Sequence, residues 1–416
     1  MLAQSPPLAT ALPFVVLLLA IALAPLLAPR WWHHNRNKAL IAFVVAAPVL
    51  VYLGLKAPHL LAEKVNEYVG FIVVIGALFV ISGGIHIQGS LAGTPLVNTG
   101  VLGIGAVLAN LTGTTGASVL LIRPLLRANK SRKRVAHIVI FFIFIVANCG
   151  GLLTPIGDPP LLLGFLKGVP FRWTLQLWPQ WLFVNGVLLV IFNVWDQWAL
   201  SKDEKELPGS QHEQVLIHEP LEIKGLLPIM ALGGVVAAIV MAWPTLAIAG
   251  LGILGYIAGT AENRTKNMFT FRPIIEVAIL FAAIFVTMAP MLEILNTNAA
   301  SLGLNTPRQF FWTTGALSSL LDNAPTYLAF ASAAAGLQSI PPHGAYVGAI
   351  DPRILAAIAT GAVFMGANTY IGNAPNFMVK AIAEESGVKM PSFFGYMMYS
   401  VGILIPLFVV VSLIFF

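Results

Sequence analysis

The stretch Thr154-Pro155-Ile156-Gly157-Asp158-Pro159-Pro160 decides the fold, because it interrupts an apolar segment that runs from about residue 135 to residue 166. Its prolines lack the backbone N–H that a helix needs, and their rings clash with the preceding turn. A carboxylate at membrane depth is costly unless it faces protein or water. Unwound backbone is tolerated there only where it is buried in protein or lines a cavity. The stretch therefore predicts a broken membrane helix whose two half-helix ends face a site.

A second stretch, Thr369-Tyr370-Ile371-Gly372-Asn373-Ala374-Pro375-Asn376, shares the pattern T-x-I-G-[DN]-x-P and lies 215 positions later in a chain of 416 residues. Interrupted hydrophobic segments at matching places in two halves are the best sequence pointer to a transporter's binding site. The alternative is a pair of unrelated proline-kinked helices. Other similar segments recur at offsets of 206 and 210 residues, which favours one duplicated unit.

The composition is that of a polytopic membrane protein, since 58% of residues are hydrophobic, 10% are charged and the mean hydropathy is +0.85. The single cysteine, Cys149, excludes an intrachain disulfide and a cysteine metal cluster. The net charge of +6 comes from loop lysines and arginines, so no nucleic-acid partner is expected. The first apolar segment, about residues 11–28, is interpreted as a retained helix and not as a cleaved signal peptide. Tryptophans such as Trp181 are interpreted as part of an aromatic belt.

The predicted fold class is an all-α polytopic membrane protein with two inverted repeats. Each repeat has five transmembrane helices plus one re-entrant hairpin, and the broken helices meet at the midplane. In the first repeat, one span is predicted at about residues 71–87, and a polar turn at residues 110–116 joins the two arms of the hairpin. The hairpins are inferred because their arms are shorter than the ~20 residues of a full crossing, and an odd number of crossings inverts the second unit. The predicted domains are a first repeat at 1–200 (hairpin about 93–126, broken helix about 135–166), a cytoplasmic linker at 201–224, and a second repeat at 225–416 (hairpin about 308–335, broken helix about 354–383).

The distribution of positive charge predicts the orientation. With this threading, 17 lysines and arginines fall on the cytoplasmic side and 6 fall outside, as the positive-inside rule expects. The sequence therefore predicts an integral protein of the bacterial inner (plasma) membrane, with a cytoplasmic linker and both termini outside.

The candidate ion- or substrate-binding residues are polar side chains in the hairpin tips and helix breaks. Hydroxyl and amide oxygens there can replace the hydration shell of a cation, while half-helix N-termini can hold an anion. A buried carboxylate without a fixed cation can exchange a proton for a metal ion near neutral pH, so Asp158 and Asp322 are the candidate ligands of a transported sodium ion. Alternatively, each carboxylate only accepts backbone N–H bonds at a helix start. The candidates are Thr112, Thr114, Thr115, Asn148, Thr154, Asp158, Asp322, Asn323, Asn368, Thr369, Asn373 and Asn376.

Glu276 is a candidate proton relay, although its position beside Arg272 also suits an interfacial ion pair. His86 and His137 lie close to the predicted membrane ends and suit interfacial roles. The chain has no H-E-x-x-H and no P-loop lysine motif. We therefore expect no enzyme, no catalytic residue and no resident cofactor, with Na⁺ and H⁺ as transported species.

The arrangement resembles the ion transporter superfamily over nearly the whole chain, and within it the NhaD-type sodium/proton antiporters and the putative citrate-transport (CitMHS-like) members. The motifs that carry the resemblance are Gly157-Asp158, Leu321-Asp322-Asn323-Ala324-Pro325 and Gly372-Asn373-Ala374-Pro375-Asn376. It implies a scaffold domain, a moving domain, a homodimer in the lipid bilayer and elevator-like alternating access. It also implies ion-exchange roles for Asp158, Asp322 and Asn323. The first tip, Thr112-Gly113-Thr114-Thr115, lacks the acidic residues common in antiporter members, and neither tip has the Ser-Asn-Thr of the carboxylate carriers.

Two functions follow as leading and alternative hypotheses. A sodium/proton antiporter is favoured by buried carboxylates in a core that has no lysine or arginine away from the loop ends. A cation-coupled carrier of citrate or another small carboxylate is the alternative, with the anion held on half-helix N-termini. An arsenite-type anion carrier and a class other than transport are further alternatives.

Overall fold

The computed structural model describes residues 6–206, 219–337 and 350–416. Most of these residues form helices, and two short strands form one two-stranded sheet. Within the described ranges, 8 helices are long and apolar enough to cross a membrane. The predicted fold class, an all-α polytopic membrane protein, is confirmed. The inverted repeats, the re-entrant insertion of the hairpins and the domain boundaries stay predictions.

The described residues of the first half form eight α-helices and one strand. The α6 segment is apolar on every side and its residues Ile138–Ile145 are buried, as expected of a helix surrounded by protein. The elements are α1 (Leu12–Leu27), α2 (Pro29–Trp32), α3 (Asn35–Lys56), α4 (Pro58–Ser82), β1 (His86–Ser90), α5 (Pro95–Ala128), α6 (Ala136–Ile145), α7 (Pro159–Leu166) and α8 (Trp178–Glu206).

The described residues of the second half form one strand and nine α-helices. Two of them, α9 and α10, have 15 and 14 residues, fewer than the ~20 that a perpendicular crossing needs. The elements are β2 (Glu219–Lys224), α9 (Leu226–Val240), α10 (Thr245–Ala258), α11 (Ala261–Lys266), α12 (Arg272–Thr297), α13 (Pro307–Ser318), α14 (Asn323–Gly336), α15 (Pro352–Met365), α16 (Ala374–Glu385) and α17 (Phe393–Phe415).

The end of the third predicted span is corrected by the structure. We expected helix over about 71–87, but α4 ends at Ser82 and β1 follows. Gly83 and Gly84 weaken the helix at this point, and β1 gains antiparallel partners in β2, with His86 opposite Lys224. The last part of the predicted linker is therefore a strand, while residues 207–218 of that linker lie outside the described residues.

The chain reverses direction inside α5, so that the two ends of this segment meet. Asn98 and Asn129 exchange side-chain hydrogen bonds of 2.9 and 2.8 Å. The reversal occurs at Gly113, whose φ of 75° is accessible to glycine without strain. The sequence predicts a polar turn over residues 110–116. Instead the helical conformation continues on both sides, because one left-handed glycine is enough to turn the chain.

The helices form two packed groups. In one group α12 packs against α3 and α4, and α10 packs against α4 and α9. In the other group α13 packs against α15, α14 against α7, and α16 against α5. The groups meet where α4 contacts α5 and where α12 contacts α14. Both broken segments lie in the second group, so the polar candidates are enclosed by helices from both halves of the chain.

Candidate functional site

The first break separates α6 from α7. After Ile145 the chain forms a short 3₁₀ turn over Cys149–Leu153 and becomes helical again at Pro159. Asp158 is the N-cap residue of α7, with extended backbone (φ −144°, ψ 147°), and it is 1% exposed. Proline is well tolerated at the first helical position, because the N–H that it lacks would have no intrahelical partner there. The proline-rich sequence therefore ends one helix and starts the next with a buried carboxylate at the start.

The second break separates α15 from α16 in the same way. A 3₁₀ turn over Gly366–Asn368 follows Met365, and helix resumes at Ala374. Asn373 is the N-cap residue, with φ −151° and ψ 140° and 1% exposure. Asp158 and Asn373 thus have nearly the same backbone conformation at equivalent places in two similar breaks.

The Asp158 carboxylate is where the tips and the breaks meet. Thr114 donates from Oγ1 to Asp158 Oδ1 at 2.8 Å, and Asn373 donates from Nδ2 to the same oxygen at 3.0 Å. Asn323 donates from Nδ2 to Asp158 Oδ2 at 2.6 Å. All three contacts come from donors, and each donor lies at the start of a helical segment. Because helix N-termini carry partial positive charge, this arrangement stabilises a negative charge without lysine or arginine in contact.

Three asparagines connect the two breaks with each other. Asn148 donates from Nδ2 to Asn376 Oδ1 at 2.7 Å, and Asn373 Nδ2 lies 3.2 Å from Asn148 Oδ1. Asn376 in turn donates to the Gly366 and Thr369 carbonyls, both at 2.9 Å. The amides therefore satisfy backbone groups that the second break frees and hold the first break against it.

Other predicted residues attach each break to the neighbouring hairpin tip. Thr154 Oγ1 donates to the Asn110 carbonyl at 2.6 Å, and Thr369 Oγ1 donates to the Ser319 carbonyl at 2.5 Å. Asn368 donates from Nδ2 to Ser319 Oγ at 2.9 Å. These side chains are bound to backbone or to a hydroxyl, and the structure does not bring them to the Asp158 carboxylate.

A cavity of about 50 Å³ lies beside Asp158. Thr112 and Thr115 line it, together with apolar side chains of α4 such as Leu78 and Phe79. This volume has room for one or two water molecules. The cavity therefore brings Thr112, Thr115 and Asp158 to one mostly apolar space beside the first tip.

The two remaining acidic candidates differ in position. Asp322 is the N-cap residue of α14, where its Oδ1 accepts from the Ala324 N–H at 3.0 Å, next to the Asn323 that contacts Asp158. Glu276 lies apart from the cluster, near the start of α12, and pairs with Lys38 Nζ at 2.6 Å, with 38% of its side chain exposed. Its ion pair is with Lys38 and not with Arg272, and its relay role stays a prediction. The roles of Asp158 and Asp322 as sodium ligands also stay predictions. Among the described residues, no group of three or more His, Cys, Asp or Glu is placed to hold a metal ion.

The sequence analysis missed the role of Asn110 and the hydrogen bond that Trp181 makes. Asn110 donates from Nδ2 to the Gly150 carbonyl at 2.7 Å and accepts from the Leu153 N–H at 2.8 Å, so its amide joins the first tip to the first break. Its place in the polar tip sequence was the available signal. Trp181 donates from its indole N–H to the Gly150 carbonyl at 2.7 Å, and its place in an aromatic belt stays a prediction.

Comparison with known proteins gives one family. A comparison with curated proteins finds no match. A family model described as "Putative citrate transport" matches residues 3–416, which is nearly the whole chain. This agrees with the citrate-transport part of the resemblance seen in the motifs, and it places the broken helices and hairpins within a family of transport proteins. The chain belongs to the putative citrate transport family.

Proposed function

We propose that this protein is a secondary carrier of citrate or another small carboxylate, coupled to a cation. The proposal rests on the environment of the Asp158 carboxylate. This carboxylate accepts hydrogen bonds from Thr114, Asn323 and Asn373, which lie at the starts of helical segments. The same kinds of donor, namely hydroxyl, amide and helix N-terminus, can receive a substrate carboxylate when the site opens. The family match supports the same substrate class.

Coupling to a cation follows from charge. Asp158 already brings one negative charge, and none of its hydrogen-bond partners among the described residues is a lysine or arginine. A carboxylate substrate adds further negative charge in a medium of low dielectric, so a proton or metal ion must enter with it. The buried Oδ1 atoms of Asn323 and Asn368 have no hydrogen-bond partner in the described part of the chain. They are suitable neutral ligands for a coupling ion.

The mode of transport belongs to the same proposal. The helix group that holds both breaks meets the other group through the α4–α5 and α12–α14 contacts. We propose that the group that holds both breaks moves against the other group in an elevator-like manner. We place this movement within a homodimer in the plasma membrane, with the linker cytoplasmic and both termini outside. The small size of the cavity beside Asp158 fits an arrangement that must open to admit citrate.

A second candidate function is sodium/proton antiport. The cavity favours it, because a space of about 50 Å³ lined by Asp158, Thr112 and Thr115 suits a small cation better than a tricarboxylate. Under this alternative, Asp158 would exchange a proton for sodium, and Asp322 would act as a second titrating group.

One proteoliposome experiment separates the two functions. Purified protein is reconstituted, and uptake of radiolabelled citrate and of a dicarboxylate is measured with and without imposed proton and sodium gradients. In the same vesicles, a pH-sensitive dye inside the lumen reports sodium-driven proton movement. Citrate or dicarboxylate uptake that requires a cation gradient supports the proposed function. Sodium-driven pH change without carboxylate uptake supports the antiporter, and absence of both signals contradicts both. Protein-free vesicles and vesicles with Asp158→Asn protein are the controls.

A further inference from the structure

The last helix of the first half holds the first break through side-chain donors. In α8, Asn185 donates from Nδ2 to the Cys149 carbonyl at 3.2 Å. One turn earlier, Trp181 donates from Nε1 to the Gly150 carbonyl at 2.7 Å. Both acceptors lie in the 3₁₀ turn that replaces regular helix between α6 and α7. These carbonyls therefore find their partners outside their own segment.

The last helix of the second half does the same for the second break. In α17, the Tyr396 hydroxyl donates to the Ala367 carbonyl at 2.7 Å, and Ser400 Oγ donates to the Asn368 carbonyl at 2.7 Å. Tyr396 is 0% exposed and Ser400 is 1% exposed. Both acceptors belong to the 3₁₀ turn between α15 and α16.

The donors occupy matching positions in the two halves. Trp181 and Tyr396 are 215 positions apart, and so are Asn185 and Ser400, which is also the spacing of the two T-x-I-G segments. The residue types differ within each pair. What both halves retain is an aromatic ring that carries a donor, followed one turn later by a small polar side chain.

The donors act on backbone that directly precedes the site. A carbonyl freed by a helix break at membrane depth must find another donor. The two N-cap residues, Asp158 and Asn373, follow these turns within a few residues, so a shift of a turn moves the N-cap with it. We propose that Trp181, Asn185, Tyr396 and Ser400 are positioning residues that fix the two N-caps for substrate binding. This inference rests on the proposed function for its role in transport, but not for its effect on the breaks.

The only cysteine of the sequence is a natural reporter of the first break. Cys149 is 0% exposed, and its carbonyl is the group that Asn185 holds. The reaction of its thiol with a small maleimide therefore measures local opening of the break. For Asn185→Leu we expect labelling about tenfold faster than in the wild type, which is the equilibrium effect of leaving one buried carbonyl without its partner. For Trp181→Phe we expect a smaller increase, because the Gly150 carbonyl keeps its bond from Asn110. Trp178→Phe is the matched control, since Trp178 is 58% exposed on the same helix.

The second break needs an introduced reporter. In a Cys149→Ser background, Ala367→Cys places a thiol on the residue whose carbonyl binds Tyr396. Adding Tyr396→Phe removes only the hydroxyl and keeps the ring, and labelling should again become about tenfold faster. Tyr399→Phe, on the same helix, is the matched control. Ser400→Ala provides a second variant should Tyr396→Phe fail to fold.

Transport kinetics distinguish positioning from simple stability. We expect the half-saturating substrate concentration to rise about tenfold in Tyr396→Phe and Asn185→Leu, with a maximal rate per folded protein near the wild type, because the N-caps bind substrate. Unchanged labelling together with an unchanged half-saturating concentration, or only a loss of folded protein, would overturn the inference. If the wild-type protein carries neither carboxylate nor sodium, the proposed function fails, while the labelling rates still decide whether these residues hold the breaks.

Discussion

The two helix breaks share their backbone conformation and differ in charge. Asp158 and Asn373 both cap a half-helix with extended backbone, but one side chain is a carboxylate and the other an amide, joined by a hydrogen bond of 3.0 Å. Two carboxylates in these places would repel each other, and two amides would leave the site without charge. The difference therefore turns two equivalent caps into an acceptor and a donor that bind each other across the two halves.

The breaks also differ in how they are tied to the hairpin tips. At the first break, the Asn110 side chain both donates to and accepts from the unwound backbone. At the second break, Asn376 of the break itself supplies the donors, and Ser319 of the tip accepts from Thr369 through its carbonyl and from Asn368 through its hydroxyl. The threonine that donates to a tip carbonyl is shared by both breaks, whereas the amides that bind the rest of the unwound backbone differ.

Removing the charge from the first break should have the largest effect. Asp158→Asn replaces a carboxylate that accepts three side-chain bonds by an amide with one acceptor oxygen. Transport should fall by at least about 100-fold, because hydrogen bonds to a charged group contribute about 1.5–3 kcal/mol each. Initial uptake rates in proteoliposomes measure this. Asp351→Asn, at the exposed N-cap of α15, is the matched control and should stay near the wild type. Full transport by monodisperse Asp158→Asn protein would contradict the assigned role.

Adding a charge to the second break should make the two breaks alike. Asn373→Asp places a second carboxylate in contact with Asp158, and two neighbouring carboxylates hold a shared proton to higher pH. Activity at neutral pH should fall about tenfold or more, and a cation exchanger should show an optimum at higher pH. A carboxylate carrier should lose substrate binding through repulsion. Uptake measured from pH 5 to pH 9, with the exposed loop variant Asn305→Asp as control, distinguishes these results. Retained citrate uptake with an unchanged optimum speaks against both functions.

Neutralising the second tip tests whether a nearby charge matters to the first break. Asparagine caps helices about as well as aspartate. Asp322→Asn should therefore keep the hydrogen bond from the Ala324 N–H that caps α14. Any change in transport then reports the lost charge. We expect a decrease of about tenfold or an equivalent shift of the pH–rate profile, since one pH unit corresponds to a factor of ten. Superimposable profiles for Asp322→Asn and the wild type would exclude a titrating role.

Removing a single neutral donor from Asp158 should have the smallest effect. Thr114→Val deletes the hydroxyl that donates at 2.8 Å and keeps the shape of the side chain. Uptake should decrease about fivefold, as expected for one of three donors to the carboxylate. Thr313→Val on α13, whose hydroxyl bonds to the carbonyl of Gln309, is the control. A loss as large as that of Asp158→Asn would show that the three donors do not act separately.

Much of the helix arrangement along the chain could be predicted, because the length of an apolar segment and the positions of its prolines determine where a helix lies without help from distant residues. Helices begin and end near many of the predicted apolar segments, while the re-entrant hairpins, the repeats and the domain bounds stay predictions. The end of α4 was missed because β1 depends on pairing with β2, which lies more than a hundred residues away. The predicted turn in α5 included too many residues. The hydroxyl-rich sequence 110–116 indicates a loop, but only Gly113 leaves the helical conformation.

The sequence alone determined that proline and glycine interrupt two apolar segments and that one of them carries a carboxylate at the break, because helix breakage depends on residue type and on neighbours in the chain. Only the tertiary structure decided which donors meet that carboxylate. Thr114, Asn323 and Asn373 are 44, 165 and 215 residues from Asp158, and contacts over such distances depend on how helices from both halves pack. The same holds for Trp181 and Tyr396, whose polar atoms are directed to the unwound backbone by the packing of α8 and α17 against the breaks.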